Sequence, residues 1–293
     1  MKQFDYENAK TIGEAVNLLN NSSKNVRPIA GGTDLIPRMR NGLLEPDILV
    51  DIKNIPELNI LSINGDLLEI GAAVPLYRIY EEERITKSYP ALIDAIKNIG
   101  GIAIQGRATV GGNLCNAAPS GDSIPALIVH EAMCIIAGPT GQRILPVEDF
   151  CTAPGKTALG RGELLTTIQI KHPPHNTGSC YNRFIPRNEM DIAVTGVAAS
   201  LMLSMDRTQI ENAKVAIGAV APTPLLVKAA GEVLVGNAPT EEAWGKAAIA
   251  AQSAARPITD VRGSINQRKH LVGVLTKRAL RKAYLRAIGE MEI

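Results

Sequence analysis

An α+β fold is what three features of this 293-residue sequence predict. A capped amphipathic helix among short strands occupies the first sixty residues. Strand-like runs flank a stretch of helical spacing in the middle. Three strand-like runs followed by three helical segments close the chain. Strands and helices gathered into separate runs point to sheets with helices packed on them. The expected boundaries are an N-terminal α/β subdomain over 1–58, a larger α+β subdomain over 59–172, and a C-terminal α+β domain over 179–293. The last is expected to hold a three-stranded antiparallel sheet.

The elements justify this in order. Thr11 and Glu14 form a T-x-x-E capping box ahead of the apolar AVNLL. VRPIA reads as a strand running into the Gly31-Gly32 pair. Asp34 is a candidate N-cap for a short helix that Pro37 limits. DILVDI over 47–52 is a strand. Asn64-Gly65 between apolar runs signals a hairpin. Residues 75–99 have helical spacing, with charges such as EEER on a solvated face. After the Gly-rich stretch TVGGNLCNAAPSGDS and the apolar IPALIVHEA come strand candidates MCIIAG, RILPV and LLTTIQI. HPPHNTGS over 172–179 is a linker by composition. SCYNRF, AVTGVAASLML and IENAKVAIGAV are the C-terminal strands, and helices are expected over 223–234, 240–254 and 264–288.

Composition excludes several classes of function. A net charge of +2 gives no footing for nucleic acid or a membrane surface. Aromatics at 3% are too few for a base-stacking platform. Cys115, Cys134, Cys151 and Cys180 include no C-x-x-C pair, which argues against zinc or iron–sulfur ligation by this chain. No apolar run reaches the roughly 18 residues of a membrane span. No secretory signal is visible at MKQFDYENAK, so a reduced, cytoplasmic compartment is expected. His172 and His175 are separated by two prolines and lack a nearby third ligand, so no metal is expected there. Cys115 is either a redox thiol or, the expected reading, a passive apolar residue. The C-terminal helix is basic, and its Leu271, Val274, Leu275, Leu280, Tyr284 and Leu285 mark a core face.

The glycine pairs carry the functional signal. Without a β-carbon, Gly31-Gly32 and Gly111-Gly112 let backbone N–H groups approach a ligand, and successive N–H groups form anion-binding concavities. Thr33, Thr109 and Asn113 can add side-chain donors. Neither pair matches a P-loop or a G-x-G-x-x-G fingerprint. Each is also readable as an ordinary structural turn. Asp122 is suited to accept from ribose hydroxyls, by analogy with dinucleotide sites, or to cap a helix beginning near Ser123.

AGGTD at 30–34, TVGGN at 109–113 with PSGD at 119–122, RFIPRNEMDIAVTGVAA at 183–199 and DVRGS at 260–264 resemble a known family. It is that of the FAD-binding medium subunits of xanthine dehydrogenase and aerobic carbon monoxide dehydrogenase, the molybdenum hydroxylases. The resemblance spans essentially the whole chain. It implies an FAD between the first two subdomains, its pyrophosphate held by both glycine turns. Ile29, Ala30, Gly31, Gly32 and Thr33 would line the first turn, and Thr109, Gly112 and Asn113 the second. Asp122 matches the family acid near the adenosine half. Leu165 falls at an apolar contact to the flavin or its adenine. Arg183 stands where some members carry Lys, with altered geometry. Ile192 lies near the isoalloxazine ring, where some members have an aromatic. On this reading Gly111→Val abolishes FAD retention and leaves the fold largely intact.

The resemblance further implies no acid–base pair and no metal in this chain. Its partners would be a large molybdopterin-binding subunit, where the substrate is hydroxylated, and a small [2Fe-2S] subunit whose clusters feed electrons to the FAD. A dimer of heterotrimers is the family's usual assembly. A stand-alone FAD-dependent reductase or oxidase with the same FAD-binding fold is the alternative, and a non-enzymatic binding module is a third. The substrate and the final electron acceptor are not legible in this chain.

Overall fold

A computed structural model describes residues 1–291. It begins with β1 (Asp5–Asn8), α1 (Ile12–Leu19), β2 (Val26–Ile29), α2 (Leu35–Arg40) and β3 (Ile48–Asp51). The three strands form a parallel sheet in the order β1-β3-β2. The capping box starts α1 as its residues dictate: the Glu14 N–H donates to Thr11 Oγ1 at 3.1 Å, and the Thr11 N–H donates to Glu14 Oε2 at 3.3 Å. Asp34 precedes α2, but its side chain makes no capping hydrogen bond. β1 is the element the sequence hides, because its four residues are exposed and DYEN shows no apolar alternation. It exists because β3 offers it a ladder, a tertiary effect that overrides weak local propensity.

The next segment builds a five-stranded antiparallel sheet. β4 (Leu61–Asn64) and β5 (Leu67–Gly71) form the expected hairpin, with Gly65 at φ +59°. The helical spacing of 75–99 becomes three short helices, α3 (Leu76–Glu81), α4 (Glu83–Ser88) and α5 (Pro90–Ile96). Pro90 starts the third at a position where its missing N–H costs nothing. α6 (Ile102–Gln105), α7 (Val110–Asn116) and α8 (Ser123–Val129) follow, then β6 (Met133–Gly138), β7 (Gly141–Pro146), the small ribbon of β8 (Cys151–Ala153) and β9 (Lys156–Thr157), and β10 (Leu164–Lys171). The sheet order is β4-β5-β10-β6-β7, so its last strand is central. Leu68, Ile70, Ile136, Ile168 and Ile170 from the strands share one core with Leu92 and Ile96 of α5 and Leu127 of α8. Each such fully buried side chain contributes about 1.5–3 kcal/mol.

β11 (Thr177–Phe184), β12 (Thr195–Leu203), β13 (Ile210–Gly218) and β14 (Leu225–Leu226) form a consecutive antiparallel sheet, one short strand more than expected. α9 (Lys228–Glu232), α10 (Glu241–Ala254) and α11 (Ile265–Ala287) complete the chain. The helix expected over 223–234 shrinks to α9, because Pro222 and Pro224 hold the preceding chain extended.

This sheet is buried on both faces. Cys180, Val197, Ala199, Val215 and Ile217 pack with Trp244 of α10 and Leu275 and Leu280 of α11. On the other face Tyr181, Ala198 and Ala216 join the core of the preceding segment. Small residues permit the close fit: a β-carbon at Gly178 would lie 2.0 Å from the Ala283 carbonyl oxygen of α11. The buried stripe of α11 runs through Val272, Leu275, Ala279, Leu280 and Ala283, whereas Leu271, Val274, Tyr284 and Leu285 are only half-buried. Not all of its basic residues are solvated. Arg268 and Arg286 turn inward, the latter donating to Asp94 of α5 at 2.6 and 3.0 Å.

Candidate cofactor site

The two glycine turns meet. A β-carbon at Gly31 would stand 2.1 Å from the carbonyl oxygen of Arg107 and 3.0 Å from Cα of Ala108, the residues leading into Thr109. Arg38 of α2 donates to Asn116 Oδ1 of α7 at 3.3 Å, a second tie between the same segments. Ile29 is buried with Met39 and Leu49, and Ala30 packs on the main core. Gly32 has φ +73°, a conformation that favours glycine, and its neighbours are the side chains of Ile29 and Ile36.

TVGGN is not a simple turn, as expected from its glycines, but the start of α7. Thr109 is its N-cap, and its Oγ1 accepts from the Gly112 N–H at 2.8 Å. Asn113 Oδ1 accepts from the Ser123 hydroxyl at 2.7 Å, which binds the second glycine stretch to the start of α8. Asp122 stands at that start without capping it. Its carboxylate turns to the C-terminal sheet instead, where Oδ1 accepts from the Tyr181 hydroxyl at 2.6 Å and Oδ2 from Arg183 Nη1 at 2.8 Å. Burial pushes the Asp122 carboxyl up to about 6, against the opposing pull of Arg183 and Tyr181. Arg183 also donates to the Asp191 carbonyl at 3.3 Å, and Asp191 Oδ1 accepts from the N–H of the half-exposed Ile192 at 2.8 Å. Leu165 lies buried in β10 beside a bulge, and the Thr166 carbonyl next to it accepts from the Ala72 N–H at 2.9 Å. Ala72 in turn packs against Gly111.

One continuous path of contacts therefore joins the two turns to Asp122, Arg183 and Ile192, and reaches Leu165 through Thr166, Ala72 and Gly111. Tyr181 and Gly196 belong to this path but escape a motif reading. Their signals were present: Tyr181 lies two residues before Arg183 and so on the same strand face, and a glycine within a strand-like run marks close approach.

The residues suit a pyrophosphate. Among the described residues, the backbone N–H groups of Gly31, Gly32, Thr33, Asp34 and Gly111 donate to no protein acceptor. Gly112 is exposed, and a β-carbon there would meet only Thr109 Oγ1, at 3.0 Å. Gly111 differs. Its β-carbon would fall 2.6 Å from the Ala72 carbonyl oxygen and 2.8 Å from Ala72 Cα. Gly111→Val thus breaks the packing of α7 on the end of β5, which corrects the expectation that it would spare the fold.

The remaining candidates lie elsewhere. Burial holds the Cys115 and Cys180 thiols up at about 12 and Cys151 at about 11, which keeps them protonated at neutral pH. His172 and His175 line an open concavity with Asp66 and Lys171, which includes none of the predicted cofactor residues. Among the described residues no three His, Cys, Asp or Glu side chains are grouped to hold a metal, and no helix is long and apolar enough to cross a membrane.

Comparison with known proteins places the chain in a family. Residues 2–173 match the family described as the FAD binding domain in molybdopterin dehydrogenase, and residues 181–283 match the carbon monoxide dehydrogenase flavoprotein C-terminal domain. The carbon monoxide dehydrogenase medium chain of Afipia carboxidovorans is 34% identical, over 97% of this chain and 98% of its own length. The xanthine dehydrogenase FAD-binding subunit of Escherichia coli O157:H7 is 32% identical, over 98% of each. Among solved structures, reconstituted carbon monoxide dehydrogenase from Oligotropha carboxidovorans superposes with a TM-score of 0.93 at 33% identity, covering 97% of this chain and 99% of that one. Matched by both family models and by relatives over nearly its whole length, this chain belongs to the FAD-binding medium subunits of the molybdenum hydroxylases, the family of xanthine dehydrogenase and aerobic carbon monoxide dehydrogenase.

Proposed function

We propose that this chain is the flavoprotein subunit of a multi-subunit molybdenum-dependent dehydrogenase, receiving electrons from [2Fe-2S] clusters on a small partner and delivering them to an external acceptor. The observation that carries the reading is the convergence of two glycine turns with unpartnered N–H groups, Gly31 seated directly on Arg107 and Ala108. When bound, FAD would supply the redox chemistry, and the protein would supply binding, orientation and electrostatics.

Gly31, Gly32 and Thr33 would donate to one side of the pyrophosphate and the Asn113 side-chain amide to the other, where the exposed Gly112 lets the ligand approach closely, with Ile29, Ala30 and Thr109 fixing the two turns. Asp122 would accept from the adenosine half. A carboxylate offers about four acceptor sites, so its bonds to Tyr181 and Arg183 leave capacity for a ligand. Leu165 would give apolar contact. Arg183 and Ile192 would border the isoalloxazine ring, Arg183 as part of a balanced ion pair rather than a free cation.

Residues 1–58 and 59–172 would then be the two halves of the cofactor-binding region, and 179–293 the domain completing it. The partners would be a large molybdopterin-binding and a small [2Fe-2S] subunit in a dimer of heterotrimers. The full-length relatives favour this over a stand-alone reductase.

An absorption spectrum of the purified chain, with heat release of its cofactor, is the test. Flavin bands and close to equimolar FAD are expected. Expression with neighbouring partner chains is then expected to bring down iron and molybdenum. A colourless chain that takes up no added FAD would sink the flavoprotein reading.

A further inference from the structure

We infer that Tyr181 and Gly196 are a positioning pair for the cofactor site: Gly196 clears the space in which the Tyr181 phenol stands, and the phenol fixes Asp122 where it meets both Arg183 and the ligand. This rests on the FAD reading above.

The geometry is specific. Tyr181 and Arg183 alternate with Asn182 on β11 and so point to the same face of the sheet. In the ladder Arg183 lies opposite Gly196 and Tyr181 opposite Ala198. A β-carbon at Gly196 would stand 2.5 Å from Tyr181 Oη and 3.1 Å from its Cζ, so any other residue there evicts the ring. On β13, Gly218 and Ala216 continue this small-residue lane opposite Gly196 and Ala198. A β-carbon at Gly218 would touch Pro125 of α8 at 3.0 Å. The lane therefore receives α8 and the Tyr181 ring side by side.

Tyr181 is 3% exposed, and both ends of it grip the preceding segment. Its backbone N–H donates to Asp94 Oδ2 on α5 at 3.1 Å, and its hydroxyl donates to Asp122 Oδ1 at 2.6 Å. Arg183 takes the other carboxylate oxygen, and both partners of that ion pair are nearly buried. A carboxylate bonded at both oxygens cannot rotate about its last bond without breaking a charge-assisted hydrogen bond. The two donors thereby fix its orientation and leave its remaining lone pairs in set directions. Asp122 and Arg183 are both assigned to the cofactor by motif, whereas the residues that aim them are not.

The test compares the full chain with Tyr181→Phe, Gly196→Ala, Asp122→Asn and the Tyr181→Phe/Asp122→Asn double variant. FAD is the probe. Dissociation constant, visible circular dichroism of the bound flavin and flavin midpoint potential are read, with thermal unfolding as control. Tyr181→Phe keeps the ring and is expected to unfold within a few degrees of wild type. It is expected to bind FAD roughly tenfold more weakly, the size of one lost hydrogen bond to a charged group. The flavin dichroism and potential shift with it. Gly196→Ala reproduces the shift with the hydroxyl still present. The double variant matches Asp122→Asn alone, since the tyrosine acts through the carboxylate. Wild-type affinity, dichroism and potential in Tyr181→Phe would overturn the proposal and leave the tyrosine as core filling. A wild-type chain that binds no FAD would overturn the FAD reading itself, a separate result seen before any variant is made.

Discussion

Gly31 presses directly on the carbonyl of Arg107: a β-carbon on the first would lie 2.1 Å from the oxygen of the second. Seventy-six positions of sequence thus close into a backbone-to-backbone contact, and that contact holds the two glycine turns together. Gly31 serves the packing of one turn on the other, while Gly32, at φ +73°, serves the conformation of its own turn. Glycine pairs that look interchangeable in sequence divide their labour in space.

Gly31→Ala is therefore expected to act at a distance from its own turn. Backbone atoms on Arg107 cannot step aside as a flexible side chain can, so the turns must separate. Stability should fall by about 1–3 kcal/mol, the usual cost of overpacking. FAD retention should be lost together with it. Gly112→Ala, at an exposed site, is the paired control, expected to weaken FAD binding with little change in stability. Urea unfolding and FAD titration of both variants decide the matter. Equal stability losses in the two would refute this division of roles.

Asp94 and Arg286 give the second prediction. Arg286 donates two hydrogen bonds to this carboxylate, Lys282 adds a contact at 3.4 Å, and the side chain of Arg286 is 4% exposed. Although burial pushes the Asp94 carboxyl up, Arg286 and Lys282 hold it below its ordinary range. Asp94→Ala leaves a buried guanidinium with only the Ser179 carbonyl, which should cost about 3–5 kcal/mol. Replacing both partners by apolar residues should cost less than the single change. Denaturation showing under about 1 kcal/mol for Asp94→Ala would mean the pair does not hold α11 to α5.

His130 gives the third prediction, a contribution to the acid limb of stability. It is buried beside Tyr89, with Nε2 3.3 Å from Ser179 Oγ. Burial first, and Lys214 second, lower its proton affinity to about 4. The unfolded chain binds that proton near 6.5, so between pH 4 and 6.5 unfolding takes up a proton and stability rises with pH. The contribution is complete above 6.5, is on the order of 3 kcal/mol, and vanishes as pH falls to 4. Asp122, raised to about 6, works in the opposite sense between its unfolded value near 3.8 and 6. Comparing wild type with His130→Gln cancels the Asp122 part. The variant should show a flatter acid limb in Tm against pH, and superimposable slopes would contradict this assignment.

What the sequence could and could not disclose follows the range of each interaction. The Thr11–Glu14 box and the Asn64-Gly65 hairpin are local, and both form as their residues require. β1 and α7 were hidden for opposite reasons. DYEN has no pattern of its own and borrows order from β3. The glycines of TVGGN, poor helix formers, mask a helix whose start Thr109 fixes. The glycine turns were legible as a candidate site, but which glycine is open to a ligand and which meets backbone depends on Arg107 and Ala72, remote in sequence. The same holds for Asp122, whose partners lie 59 and 61 positions away.

Arg268 gives the DVRGS segment its purpose and a last prediction. Its Nη1 donates to the carbonyls of Val194 at 2.7 Å and Ala219 at 3.0 Å, and its Nη2 donates to Asp260 Oδ1 at 2.7 Å. Val194 lies two residues beyond Ile192, and Ala219 donates its N–H to the Pro119 carbonyl of the PSGD turn. One buried guanidinium therefore steadies the approaches to Asp122 and Ile192 at once. A lysine carries the charge but not the fork, and cannot serve three acceptors in one plane. Arg268→Lys should lose about 1–3 kcal/mol. Backbone amides over 191–194 and 219–221 should exchange hydrogen faster, with those of α1 unchanged as an internal control. Asp260→Ala, which keeps both carbonyl bonds, should speed exchange near 260–264 but much less at 191–194. Identical exchange at 191–194 in wild type and Arg268→Lys would show that the loop is held by other contacts.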